Sequence, residues 1–148
     1  MVALANSSLK TRPLCVFVVE DHPDTAKYLR LYLETLGHRV VNADSMRQAL
    51  EKLPQAECDV LLCDVFLPDG SGWDLPSLVD KDLPRPTLAV SMCAVARTEH
   101  HVASEEAGFF YHLDKPINPI ALEAVLDQAA WMLDGIARDG AHASHSPH

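Results

Sequence analysis

Asp64 closes the apolar run Val60, Leu61, Leu62, and the chain then turns through Pro68, Asp69, Gly70, Ser71 and Gly72. A carboxylate at the carboxyl end of a buried strand, ahead of a Pro/Gly loop, sits where open α/β sheets place their ligands. Such a residue suits a nucleophile that accepts a phosphoryl group. Other reactive side chains also stand at the ends of apolar runs: Glu20 and Asp21, Ser91, and Lys115 followed by Pro116. In a parallel sheet all carboxyl ends share one edge, so these groups converge although they are far apart in the chain. Carboxylates crowded in this way repel one another unless a cation lies among them. Oxygen ligands with no His or Cys partner suit Mg²⁺, which keeps several waters and engages phosphate. In such a site Asp64 attacks phosphorus in line to give an acyl phosphate, with the growing charge offset by Mg²⁺. Lys115 offers a point charge to a second phosphoryl oxygen, and the Ser91 hydroxyl a hydrogen bond to a third.

The elements that must position these groups alternate. Leu14–Val19 is a continuous apolar run and predicts a buried strand. Pro23 suits a first helical turn, Ala26, Leu29, Leu33 and Leu36 recur at helical spacing, and Gly37 offers a stop. Arg39–Val41 predicts a short strand. Asp44 or Ser45 caps a helix bearing Met46, Ala49, Leu50 and Leu53, expected to end at Pro54. Asp74–Asp80 predicts a short helix weakened by Pro76, Thr87–Ser91 a strand, Thr98–Glu106 a helix, and Phe109–Leu113 a last strand. Asn118 and Pro119 open a final helix with Leu122, Val125, Leu126, Ala129, Leu133 and Ile136 on one stripe. Strand and helix thus alternate five times, which implies an α/β domain with a doubly wound parallel sheet covered on both faces. Residues 13–138 form this one domain, 1–12 a flexible lead, and 139–148 a small, polar tail expected to be disordered.

The formal charge of −9 makes nucleic acid and anionic lipid poor partners for this chain. No apolar stretch reaches the roughly 18 residues needed to span a bilayer. The first residues, MVALANSSLKTRP, lack the apolar core of a secretory leader. Cys15, Cys58, Cys63 and Cys93 lie in or beside apolar runs without paired ligand spacing, which predicts reduced, buried thiols in a cytoplasmic protein.

These motifs resemble those of the two-component response regulator receiver domain. The matching features are Glu20-Asp21 after the first strand, Asp64 leading into Leu67-Pro68-Asp69-Gly70-Ser71-Gly72, Ser91 ending the fourth strand, and Lys115-Pro116 after the fifth. The resemblance covers roughly Pro13 to Arg138. The resemblance implies a flavodoxin-like five-stranded sheet of order 2-1-3-4-5 with five helices. It implies phosphorylation of Asp64 by a histidine kinase or a histidine phosphotransfer protein. It also implies Mg²⁺ held directly by Asp21, Asp64 and the Phe66 backbone carbonyl, with Glu20 acting through water, and a cis bond before Pro116. The family's switch moves a hydroxyl, here Ser91, toward the phosphoryl group and turns an aromatic ring inward on the last strand.

Three positions depart from the family pattern. The ring position is His112, an imidazole that titrates near neutrality, so the active-state population is expected to depend on pH. Met92, after the switch hydroxyl, replaces a small residue, and Phe66 carries no group to orient a hydrolytic water. Both are expected to restrict access to Asp64, giving weak autophosphatase activity and a long-lived phosphoryl state. Output is expected through the face of the fourth helix, last strand and final helix, where Val102, Phe110 and His112 are candidates, onto a protein target or a second copy. With only a short tail after the final helix, the chain is expected to work without an attached output domain.

Other residues take plainer readings. Asp69 and Asp74 suit a turn and a helix cap, His100 and His101 a solvated helix face, and His142, His145 and His148 the polar tail. Trp131 fits either core or docking surface. Competing functions are a receiver-like scaffold or dimerisation module that does not phosphorylate, and a small haloacid-dehalogenase-like phosphatase. The second needs an aspartate two residues after the nucleophile, where this chain has Phe66.

Overall fold

The computed structural model describes residues 12–83, 86–94 and 98–144. Five strands alternate with five helices: β1 Cys15–Val19, α1 Pro23–Thr35, β2 Arg39–Ala43, α2 Met46–Ala56, β3 Val60–Asp64, α3 Leu75–Val79, β4 Leu88–Cys93, α4 Thr98–Glu106, β5 Tyr111–Asp114 and α5 Pro119–Ser144. All pairings in this sheet are parallel, in the order β2-β1-β3-β4-β5. This is the doubly wound order that the resemblance implied.

Every residue of β1 and β3 is buried, which is why these strands appear in the sequence as unbroken apolar runs. Alternate residues serve opposite faces. Val16, Val18 and Leu62 pack with Leu29 and Leu33 of α1 and Leu122, Val125 and Leu126 of α5. Phe17, Val19 and Leu61 pack with Met46, Ala49 and Leu53 of α2 and Leu75 and Val79 of α3. Burying one such side chain stabilises the fold by roughly 1.5–3 kcal/mol relative to leaving it exposed. Two layers of this kind fix the strand ends on which the site depends.

Several boundaries differ from the sequence expectation. The helix α2 passes through Pro54 and ends at Ala56, where Glu57 takes a left-handed conformation (φ 50°). Proline forfeits only the bond to the carbonyl four residues back, on the exposed Leu50, so a last turn tolerates it. The strand β5 begins at Tyr111 rather than Phe109, although the Phe110 amide already donates to the Ala89 carbonyl. The last helix α5 continues to Ser144, past Arg138, where order was expected to end. Alanines at 137, 141 and 143 favour helix, and Gly140 costs only about 1 kcal/mol against alanine. Residues 1–11 of the expected lead lie outside the described residues, whereas Arg12 donates to the Asp134 carboxylate at 2.9 Å.

All four cysteines are free and buried, as predicted. Among the described residues no helix is long and apolar enough to cross a membrane.

Candidate functional site

The carboxyl ends of β1, β3 and β5 bring Glu20, Asp21, Asp64 and Lys115 together. One carboxylate oxygen from each of Glu20, Asp21 and Asp64 lies within 4.8 Å of the others. Lys115 Nζ donates to Glu20 Oε1 at 2.6 Å and to Asp64 Oδ2 at 3.0 Å. The other Asp64 oxygen, Oδ1, accepts from the Phe66 amide at 3.1 Å, so both oxygens of the nucleophile are held. Glu20 Oε2 accepts from the His22 amide at 3.1 Å.

Electrostatics follow from burial. Burial pushes the Glu20 carboxyl above its usual range, more than Lys115 and the His22 amide pull it down. Burial also pulls the Lys115 ammonium down, but its hydrogen bonds to Glu20 and Asp64 outweigh this and raise its pKa. Among the described residues the ammonium of Lys115 is the cation hydrogen-bonded to this cluster of Glu20, Asp21 and Asp64 carboxyl groups. The cluster's donors are oxygens without His or Cys, a set that fits Mg²⁺.

The loop after β3 is a small hairpin in which Phe66–Leu67 pairs antiparallel with Gly70–Ser71. The Gly72 amide then donates to the Val65 carbonyl at 2.7 Å, closing the loop beneath Asp64. Asp69 accepts from the Met46 and Arg47 amides at 2.8 and 3.0 Å, which holds its carboxyl below the usual range. It therefore caps α2 from across the structure, next to the local cap Ser45. Asp74 stands at the start of α3 but makes no side-chain cap bond.

Ser91 is fully buried and its hydroxyl points into a polar network. It donates to Ser104 Oγ at 2.9 Å and lies 2.6 Å from His112 Nδ1. Ser104 also accepts from Trp73 Nε1 at 2.8 Å. Ser104 and Trp73 were not singled out in the sequence. A serine within the weakly periodic α4 carries no local signal, and only its packing against β4 and β5 gives it a role.

Two sequence expectations change here, those for Met92 and His112. Met92 has no exposed surface and packs in the apolar core with Leu113 and Ile117. A wholly buried side chain cannot cover the approach to Asp64, so Met92 belongs to the core wall. Phe66 is 54% exposed and packs edge-on against Trp73 and His100, placing it at the rim. His112 is not on the surface: its side chain is only 4% exposed, while Tyr111 and Val102 stand out on that face. Burial and the neighbouring His101 push its pKa below the ordinary imidazole value, against an opposing pull from Asp114.

His100 is half-buried against Phe66 and Trp73 rather than solvated, and His101 is exposed, its ring centroid 4.3 Å from that of His112 at a tilt of 59°. Trp131 is 70% exposed, which resolves its ambiguity in favour of surface. The Lys115–Pro116 bond is cis.

The model of the response regulator receiver domain matches residues 16–127. The chain is 36% identical over 115 residues to the 14.6 kDa protein of the sodA1 3' region of Leptolyngbya boryana, covering 76% of this chain and 87% of that one. It is 30% identical over 101 residues to the response regulator protein PilR of Pseudomonas aeruginosa, covering 68% of this chain but only 22% of PilR. Among solved structures it resembles the receiver domain of the sensor histidine kinase PA1611 of Pseudomonas aeruginosa PAO1, with magnesium in its active-site cleft. That likeness has a TM-score of 0.71 at 22% identity and covers 80% of this chain and 98% of the other.

Proposed function

The chain belongs to the response regulator receiver domain family, and on that footing we propose that Asp64 accepts a phosphoryl group from a histidine kinase or histidine phosphotransfer protein. The observation that carries this reading is the Lys115 ammonium 3.0 Å from Asp64 Oδ2, with Glu20 and Asp21 oxygens beside it. Lys115 fixes the attacking carboxylate before transfer and stays within reach of the phosphoryl oxygens afterwards. Asp64 and Asp21, with the Phe66 carbonyl and with Glu20 through water, would hold Mg²⁺, which supplies charge neutralisation on those oxygens. Loose phosphoryl transfer asks for little beyond this positioning.

Readout follows from the buried network. Ser91 must give up Ser104 and His112 to reach a phosphoryl group on Asp64, which loosens α4 from β5. The face formed by α4, β5 and α5 then changes, and a protein target or a second copy reads it. Phe66 offers no polar group to a hydrolytic water, so autodephosphorylation is slow. No feature of the site favours the haloacid-dehalogenase-like or scaffold alternatives.

The test is intact-protein mass after incubation with acetyl phosphate and Mg²⁺, for the wild type and Asp64→Asn. A single phosphoryl adduct lost in the variant is the expected result. No adduct in the wild type would overturn the reading, and rapid turnover of acetyl phosphate without an adduct would restore the phosphatase alternative.

A further inference from the structure

We propose that His101, His112 and Asp114 form a second cation site, separate from the acidic cluster, for a divalent transition metal of the zinc class. His101 comes from α4, and His112 and Asp114 lie two residues apart on β5. Asp114 Oδ1 is 3.4 Å from His101 Nε2 and 3.5 Å from His112 Nε2, and the three ligand atoms all lie within 4.8 Å of one another. Ligands at about 2.0–2.1 Å from a tetrahedral Zn²⁺ stand roughly 3.3 Å apart. Little movement is therefore needed to close the site.

The independent sign of a ligand is His112 Nε2. Among the described residues it is the buried side-chain nitrogen or oxygen that makes no hydrogen bond, and it points at this cluster. Leaving such an atom unsatisfied is costly, and a bound ligand removes that cost. The opposite nitrogen fixes the ring: Nδ1 lies 2.6 Å from the Ser91 hydroxyl and 3.2 Å from that of Ser104. A hydroxyl that accepts from Nδ1–H leaves Nε2 as a lone pair, the form that binds a metal, and plays the orienting part that metal-bound imidazoles require. Two imidazoles and a carboxylate select a first-row transition ion over Mg²⁺ or Ca²⁺ and leave one position open to water.

The site shares His112 with the Ser91 network. Resting on the receiver reading, metal at Nε2 holds the imidazole and, through Nδ1, keeps Ser91 turned away from Asp64. Metal binding and phosphorylation then oppose each other, and by linkage each weakens the other.

The experiment uses the full chain with His142, His145 and His148 replaced by Ala, so that tail imidazoles cannot bind, in excess Mg²⁺ to fill the acidic site. Co²⁺ is titrated and followed by its visible absorption, in this background and in His101→Ala and Asp114→Asn. Both substituted positions are exposed, so folding should survive. The expected result is a Co²⁺ spectrum whose apparent affinity falls about tenfold or more in each variant. Unchanged affinity in both variants, or loss of the signal in Asp64→Asn instead, overturns the site. Zn²⁺ is then added before acetyl phosphate, and the adduct on Asp64 should fall several-fold and recover in His101→Ala. Cobalt binding without this effect overturns the coupling but upholds the site. If no adduct forms under any condition the receiver reading fails, and the Co²⁺ titration still decides the site.

Discussion

Gly72 packs so tightly under Asp64 that a Cβ at this position would stand 2.1 Å from the Asp64 backbone oxygen and 3.0 Å from Cys63 Sγ. Backbone cannot yield as the end of a flexible side chain does, so this glycine is required for space rather than for an unusual φ. Gly72→Ala should push the loop away from β3, destabilise the fold by roughly 1–3 kcal/mol, and lower the phosphoryl yield on Asp64. Urea unfolding followed by circular dichroism checks the first effect. A midpoint equal to wild type would show that the loop accommodates a methyl group.

Met92 and Phe66 separate two effects that look alike in the sequence. Since Met92 is wholly buried among apolar side chains, Met92→Ala should cost about 2–5 kcal/mol of stability through a cavity. Phe66→Asn, at the exposed rim, should leave stability almost unchanged and shorten the phospho-Asp64 lifetime by supplying a group that orients water. Decay of the phosphoryl adduct by intact mass, measured beside thermal melts, checks both. A lifetime unchanged in Phe66→Asn would remove Phe66 from the control of hydrolysis.

What the sequence revealed and what it concealed divide along physical lines. Glu20, Asp21, Asp64 and Lys115 were legible because a parallel sheet gathers its carboxyl ends, so strand order alone brings them together. Ser104 and Trp73 were not, because their hydrogen bonds join α4 to the loop after β3, and no periodicity encodes that contact. Met92 and His112 lie deeper than their sequence positions predict for a related reason. Alternation along β4 and β5 says which residues share a face, but not how deeply the flanking helices cover them. Asp69 was legible as a turn residue, yet its bonds to the Met46 and Arg47 amides are tertiary.

Trp73 should report the switch. Its Nε1 donates to Ser104 Oγ, which accepts in turn from Ser91, so withdrawal of Ser91 toward a phosphoryl group must disturb the indole. In Trp131→Phe, which leaves Trp73 as the remaining tryptophan, beryllofluoride with Mg²⁺ should change the emission of Trp73. In Ser104→Ala the change should shrink substantially while beryllofluoride still binds. A response of equal size in both proteins would show that the indole senses its surroundings by another route.

His38 gives the fold an acid limit remote from the site. The Leu14 amide donates to His38 Nδ1 at 3.0 Å, which requires that nitrogen to be unprotonated inside the protein. Burial drives the His38 pKa below its ordinary value, against a smaller opposing pull from Asp127 and Asp59. The folded chain therefore binds fewer protons than the unfolded chain between the two pKa values, and stability rises with pH across that interval. The contribution is fully present above the unfolded imidazole pKa of about 6.5 and is lost as pH falls through the folded value. Each unit of depression is worth about 1.4 kcal/mol. Urea unfolding at a pH above and a pH below the imidazole range should show a larger acid loss in wild type than in His38→Gln, whose amide oxygen can accept from Leu14 without titrating. Equal losses in the two proteins would assign the acid sensitivity to carboxylates such as Asp69 instead.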